Sequence, residues 1–109
     1  MFENIDGIGT DKNYIAYLDG FNLWLDSHAL EPVSQLLYFR LLDVFNCADW
    51  PESVQVDNQR IMSMTGQHSE KSAIIARDRL VSAGLISYQC GKKGSPGRYS
   101  LIRFPLQRK

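Results

Sequence analysis

Between Thr65 and Ile102 the chain sets a tight turn, an amphipathic helix and a glycine-bounded hairpin one after another, an order that few folds accept. Thr65-Gly66-Gln67-His68-Ser69 reads as a turn into a helix, with Ser69 where a hydroxyl can accept from the free amides of a first turn. The helix from Ser69 stops at Gly84, at the left-handed position that glycine takes without strain. Leu85-Ile86 then open an extended segment that turns through Gly91-Lys92-Lys93-Gly94-Ser95-Pro96-Gly97 and returns along Arg98-Tyr99-Ser100-Leu101-Ile102. The pattern is a helix-turn-helix followed by a basic wing.

The residues before it supply the rest of a small core. From Asn13 to His28, Tyr14, Ile15, Tyr17, Leu18, Phe21, Trp24 and Leu25 recur at three- and four-residue steps, which predicts an amphipathic helix with a wide apolar stripe. Pro32-Val33-Ser34 resets the chain, and Leu36, Leu37, Phe39, Leu41, Leu42, Val44 and Phe45 predict a second helix, apolar almost all round and therefore central. Asn46 to Ser53 reads as a loop around Trp50-Pro51, and Val54-Gln55-Val56 alternates like a short strand. Asp57 is a good N-cap for a third helix from Asn58 to about Met64, closing at Gly66.

Stepping 100° per residue along the fourth helix puts Ala73, Ala76, Arg77, Leu80 and Val81 on one side, with Ile74 at its edge. Lys71, Ser72, Ile75, Asp78, Arg79 and Ser82 fall on the other. In the hairpin, Ile86, Tyr88 and Cys90 share one face and Tyr99 and Leu101 another, both predicted to look toward the helices.

Charge is divided along the chain although the total is zero. Met1 to Asp57 holds ten acids and two bases, a formal −8, and Asn58 to Lys109 holds two acids and ten bases, a formal +8. Phosphate contact depends on the local field, so a one-sided basic region suits a polyanion while the other end points away. Uneven solvated charge is the plainer reading of the same numbers.

At 109 residues, 44% hydrophobic and 22% charged, the composition is that of one ordinary globular domain. Cys47 and Cys90 fit no disulfide framework or metal spacing, so both are expected as small buried hydrophobes in a reducing, cytoplasmic setting. Met1 to Asp6 lacks the pattern of a secretory signal, and no apolar run approaches the roughly 18 residues of a membrane span. Asp43, Asp49, Glu52 and Asp57 match no calcium loop, His28 stands alone, and neither a nucleophile motif nor a phosphate-cradling glycine loop occurs. No enzyme, metal or cofactor is therefore expected.

A helix that reads the major groove needs polar and apolar groups on the outer face near its N-terminus. Gln67, His68, Ser69, Lys71, Ser72, Ile75 and Arg79 occupy those places. Ser69 is at least a helix cap, and with the exposed amides it could also hold a phosphate. His68 reads equally as a solvent-exposed turn residue, and Ile75 suits either a thymine methyl or a protein partner. Lys92, Lys93 and Arg98, with Arg103, Arg108 and Lys109 beyond, suit the backbone or minor groove of an adjacent turn of duplex. The same wing would also serve as a solvated loop that keeps a sheet edge from pairing.

Trp24-Leu25, Ser34-Gln35-Leu36-Leu37-Tyr38, Trp50-Pro51, Val54-Gln55-Val56-Asp57-Asn58, Met64-Thr65-Gly66, Ala76-Arg77-Asp78-Arg79-Leu80, Gly84-Leu85-Ile86 and the Gly91 to Tyr99 segment occur in that order. Together they resemble the N-terminal winged-helix domain of DnaD-like proteins, the phage and mobile-element replisome organisers and primosome proteins of Gram-positive bacteria. The resemblance covers roughly Tyr14 to Ile102. It implies replication initiation: binding origin DNA, self-association, and bringing in helicase-loading or other replication proteins. In that family a second, helical domain normally follows.

The expected fold is mainly α with a small β-hairpin, a winged helix-turn-helix with an additional N-terminal helix. Residues 1–12 are expected as a flexible tail, 13–104 as the domain, and 105–109 as a tail that begins a linker. The expected partners are double-stranded DNA, contacted by the helix 69–83 and the wing 91–98, and a second copy of the chain, with no membrane. A phage or mobile-element transcriptional regulator shares the fold signature, as does a winged-helix module used for oligomerisation and protein contact.

Overall fold

The computed structural model describes residues 9–104, with side chains from residue 14 onward. Its elements are α1 (Gly9–Leu25), α2 (Pro32–Cys47), β1 (Val54–Val56), α3 (Asn58–Thr65), α4 (Glu70–Ser82), β2 (Ile86–Gln89) and β3 (Gly97–Leu101). The expected mainly helical fold with a small β component is what the chain forms, and the order of its elements is compatible with a winged helix-turn-helix. No helix among the described residues is long and apolar enough to cross a membrane.

The first helix differs from its predicted limits at both ends. It begins at Gly9, so residues 9–12 are helix and not tail, while residues 1–8 and the predicted tail 105–109 lie outside the described residues. At the other end the helix stops at Leu25 and tightens: Asp26 N–H bonds the Leu23 carbonyl and Ser27 N–H the Trp24 carbonyl, both at 3.1 Å. His28 lies beyond it, its ring stacked 4.3 Å from Trp24 and its Nδ1 2.9 Å from the Trp24 carbonyl oxygen.

α2 is the central helix, packed against α1, α3 and α4. Leu37, Tyr38, Leu41, Leu42 and Phe45 are buried, but the helix is not apolar all round, since Leu36, Arg40 and Asp43 face outward. Phe21 of α1 enters this core with its ring 4.2 Å from Tyr38 and 5.3 Å from Phe39. Aromatic pairs at such spacings contribute about 0.5–1.5 kcal/mol each beyond their buried area. Ser34 is the buried polar residue of α2: its hydroxyl donates to the Ala76 carbonyl at 3.0 Å, and the two small residues let α2 and α4 approach closely.

The β component is a three-stranded antiparallel sheet in the order β1-β3-β2. Val54 pairs with Tyr99, Gln55 with Arg98 and Val56 with Gly97, and on the other side Tyr88 pairs with Tyr99 and Gln89 with Arg98. The predicted hairpin is therefore the outer two-thirds of a sheet whose third strand comes from before α3. Val56, Ile86 and Tyr99 are buried on the helix side.

Three predicted burials are corrected. Cys47 and Cys90 are exposed: Cys47 is the last residue of α2, and Cys90 lies beyond the final β2 pair, where the alternation that would aim it at the helices has ended. Val81 is 39% exposed because it lies one residue, roughly 100°, past Leu80 and so outside the arc of Ala73, Ala76 and Leu80.

Candidate nucleic-acid interface

Two capped helices and a four-residue turn build the centre of the site. Asp57 Oδ1 accepts from Arg60 N–H at 2.8 Å and starts α3. At its end Gly66, with φ 67°, lets Gln67 N–H reach the Met62 carbonyl at 3.0 Å. Ser69 Oγ accepts from Ser72 N–H at 3.1 Å and starts α4, and Asn58 Nδ2 donates to Glu70 Oε2 at 2.7 Å, tying the first residues of the two helices together. α4 closes like α3: Gly84, with φ 78°, allows Leu85 N–H to bond the Leu80 carbonyl at 3.1 Å while both leucines bury their side chains.

α4 is seated by one face and bare on another. Ala73, Ala76 and Leu80 are completely buried, whereas Lys71, Ser72 and Ile75 are exposed together over its first two turns. Just before them His68 is exposed as well. Gln67 is half-buried and turned to its own chain, its side-chain Nε2 3.3 Å from the Thr65 carbonyl. Ser69 and Ser72 bond each other through their hydroxyls at 2.9 Å, so the capping role of Ser69 occupies its side chain.

The remaining predicted residues are dispersed. Arg79 continues the outer stripe two turns below Ser72, but its Nη1 donates to Glu31 Oε2 at the start of α2. Lys92 and Lys93 stand exposed in the loop joining β2 to β3. There Ser95 N–H bonds the Lys92 carbonyl at 2.7 Å around Gly94, whose φ of 82° makes a type II turn with Lys93 at its second position. Arg98 lies on the sheet face turned away from α4, in a row between Gln55 of β1 and Gln89 of β2, with Nη1 3.5 Å from Ser53 Oγ.

The formal +8 is thus only partly presented. Arg77 is a packing residue: its side chain is 12% exposed, its guanidinium lies 3.9 Å from the Tyr88 ring centroid, and Nε and Nη2 donate to Asp78 at 3.1 and 3.0 Å. Tyr88 in turn meets Tyr99 edge-on at 5.0 Å. Burial pushes the Tyr99 hydroxyl up to about 12 against the downward pull of the nearby Arg77 charge.

Several residues at the site had no sequence signal. Glu31 is separated from Arg79 by 48 positions, and the Gln55–Arg98–Gln89 row needs a strand pairing that no local pattern encodes. Arg40, Arg60 and Ser63 also border one shallow cleft between α2 and α3. Among the described residues no group of three or more His, Cys, Asp or Glu is arranged to hold a metal ion. Compared with protein-family models, curated proteins and solved structures, the chain has no match.

Proposed function

We propose that this chain binds duplex DNA as a winged-helix domain, a binding role and not a catalytic one. The observation that carries the reading is the two-sided character of α4: Ala73, Ala76 and Leu80 fix its position, and Lys71, Ser72 and Ile75 stand uncovered on the opposite side of its first two turns. A rigid helix with a cation, a hydroxyl and an apolar group at its leading end suits base edges and a thymine methyl in the major groove. Lys92 and Lys93 on the wing then neutralise phosphates of the neighbouring backbone, with Arg98 in the strand pair next to the same loop. The resemblance to DnaD-like proteins supports a replication-initiation setting, with helicase-loading proteins as further partners.

The test is duplex binding measured across a salt series. Affinity is expected to fall steeply with salt, and K92Q/K93Q together are expected to lower the slope of log K against log salt by about two. Undetectable binding of any duplex at low salt sinks the proposal.

Self-association is a second reading, favoured by one observation: Leu23 and Ile15 of α1 are 63% and 55% exposed. Sedimentation that finds only monomer at high concentration rules it out.

A further inference from the structure

We propose that Glu31 is an internal competitor for the phosphate that Arg79 would otherwise hold, so that the Glu31–Arg79 pair sets how tightly the α4 face takes DNA. The inference rests on the DNA-binding reading above and concerns one side chain within it.

Arg79 belongs to the outer stripe of α4. It comes seven positions after Ser72, an offset that in an α-helix returns a side chain to nearly the same line, two turns on. A duplex lying along Lys71 and Ser72 therefore has Arg79 next along its path. Of the two cations on that stripe, Lys71 and Arg79, it is Arg79 whose charge is answered from another helix's approach, by the carboxylate of Glu31.

The carboxylate is held in place. Glu31 stands at the N-cap position of α2, and its side chain makes no capping bond to that helix. One of its oxygens takes the Arg79 guanidinium, and the other lies 3.3 Å from the hydroxyl of Ser34. Ser34 is itself fully buried and anchored on the Ala76 carbonyl of α4, one helical turn before Arg79. The Leu30 carbonyl is fixed by Gln35 Nε2 at 2.7 Å. The acidic group thus lies beside the buried Ser34 of α2 and against Arg79 of α4, at the lower end of the face that would meet DNA.

The pair is also easily exchanged. Both side chains reach solvent, Arg79 at 53% and Glu31 at 31%, and exposed pairs of this kind contribute little. The pair borders an open depression lined by Ala29, Leu30, Ser82 and Ala83, so the guanidinium can swing out without disturbing the core. A phosphate oxygen offers Arg79 the same charge-assisted bond that the carboxylate offers, and counterion release from the duplex adds to it. Without DNA, Glu31 neutralises Arg79. With DNA, carboxylate and phosphate compete for the one guanidinium, and the share that Glu31 keeps is withheld from the backbone, which holds the affinity down.

The experiment compares wild type, E31Q, R79Q and E31Q/R79Q in duplex binding over a salt series, with melting curves to establish that each variant is folded. Glutamine keeps the length of Glu31 and its contact to Ser34. E31Q is expected to bind about threefold more tightly at low salt, with the log–log salt slope steeper by about 0.9. R79Q is expected to be weaker than wild type, and E31Q/R79Q to equal R79Q. E31Q binding with wild-type affinity and slope, or gaining as much in the R79Q background as alone, overturns the proposal. If K92Q/K93Q weakens binding while E31Q is silent, only this inference fails. If no protein binds duplex at low salt, the DNA-binding reading fails with it.

Discussion

Trp50 closes the end of α2 by donating its backbone N–H to the Phe45 carbonyl at 2.8 Å, and its ring stays in contact with Phe45 at 6.3 Å between centroids. Asp49 N–H bonds the Asn46 carbonyl at 3.2 Å. The pattern is the one that ends α3 and α4, with Asp49 where those helices use Gly66 and Gly84. Asp49 and Trp50 accordingly hold φ of 65° and 58°, a region that costs a residue with a Cβ about 1–2 kcal/mol. Packing offsets the strain: the Trp50 ring stacks on Tyr17 at 5.5 Å and its Nε1 donates to Asn46 Oδ1 at 3.2 Å.

Asp49→Gly is therefore expected to stabilise the fold. Relief of the left-handed strain outweighs the extra freedom of glycine in the unfolded chain, for a net gain of about 0.5–1 kcal/mol. Urea unfolding measures it, and a D49G protein less stable than wild type contradicts the account. D49V should lose stability in the same assay, because a β-branched side chain is strained further in this region.

The same three helix ends show which parts of the fold a sequence carries openly. Asp57, Gly66, Ser69 and Gly84 do their work within a few positions, and α3 and α4 lie where those residues put them. The end of α2 uses the same geometry without a glycine, so Asn46 to Ser53 reads only as a loop. The helical period of α4 identified Lys71, Ser72 and Ile75 as outward and Ala73, Ala76 and Leu80 as inward, because burial on one helix is a local periodic property. Partners across the chain are different. That Glu31 meets Arg79, and that Gln55 lies beside Arg98, depends on long-range packing and strand register, which leave no trace in spacing.

Alkaline titration reports on the packing between α4 and the sheet. Tyr99 is 1% exposed and its hydroxyl is pushed up to about 12 from the usual 10, chiefly by burial; Tyr38 shifts upward for the same reason. A raised folded-state value means that below pH 10 both states keep the proton and stability is fully present. Above that the unfolded chain releases it first, so stability is lost as pH climbs from 10 through about 12, by about 1.4 kcal/mol per unit for each such group. Unfolding followed by phenolate absorbance should show delayed, cooperative ionisation, and Tyr99→Phe should flatten the alkaline loss. Ordinary titration of every tyrosine near pH 10 contradicts it.

Gly97 faces the Tyr88 ring so closely that a Cβ there would lie 2.6 Å from Tyr88 Cζ. Tyr88 cannot readily withdraw, since Arg77 covers one side of its ring and Tyr99 meets it from the neighbouring strand. Gly97→Ala is expected to destabilise by about 1–3 kcal/mol through overpacking. Thermal melting of G97A beside G97A/Y88L separates this cause from backbone preference, because the smaller side chain should restore most of the loss.

Two cations six residues apart on α4 should respond oppositely to removal. Arg77 is covered, spending its charge on Asp78 and its planar face on Tyr88, whereas Lys71 is exposed over the first turn. Arg77→Met should cost about 1–2 kcal/mol of stability from lost packing and cation–π contact, and should leave the salt dependence of duplex binding unchanged wherever the protein is folded. Lys71→Gln should leave stability within about 0.5 kcal/mol and lower the log–log salt slope by about one. Were R77M to reduce the slope and K71Q not to, the basic charge that meets DNA would lie on the sheet side of α4, and the assignment of its outer face to the groove would have to be abandoned.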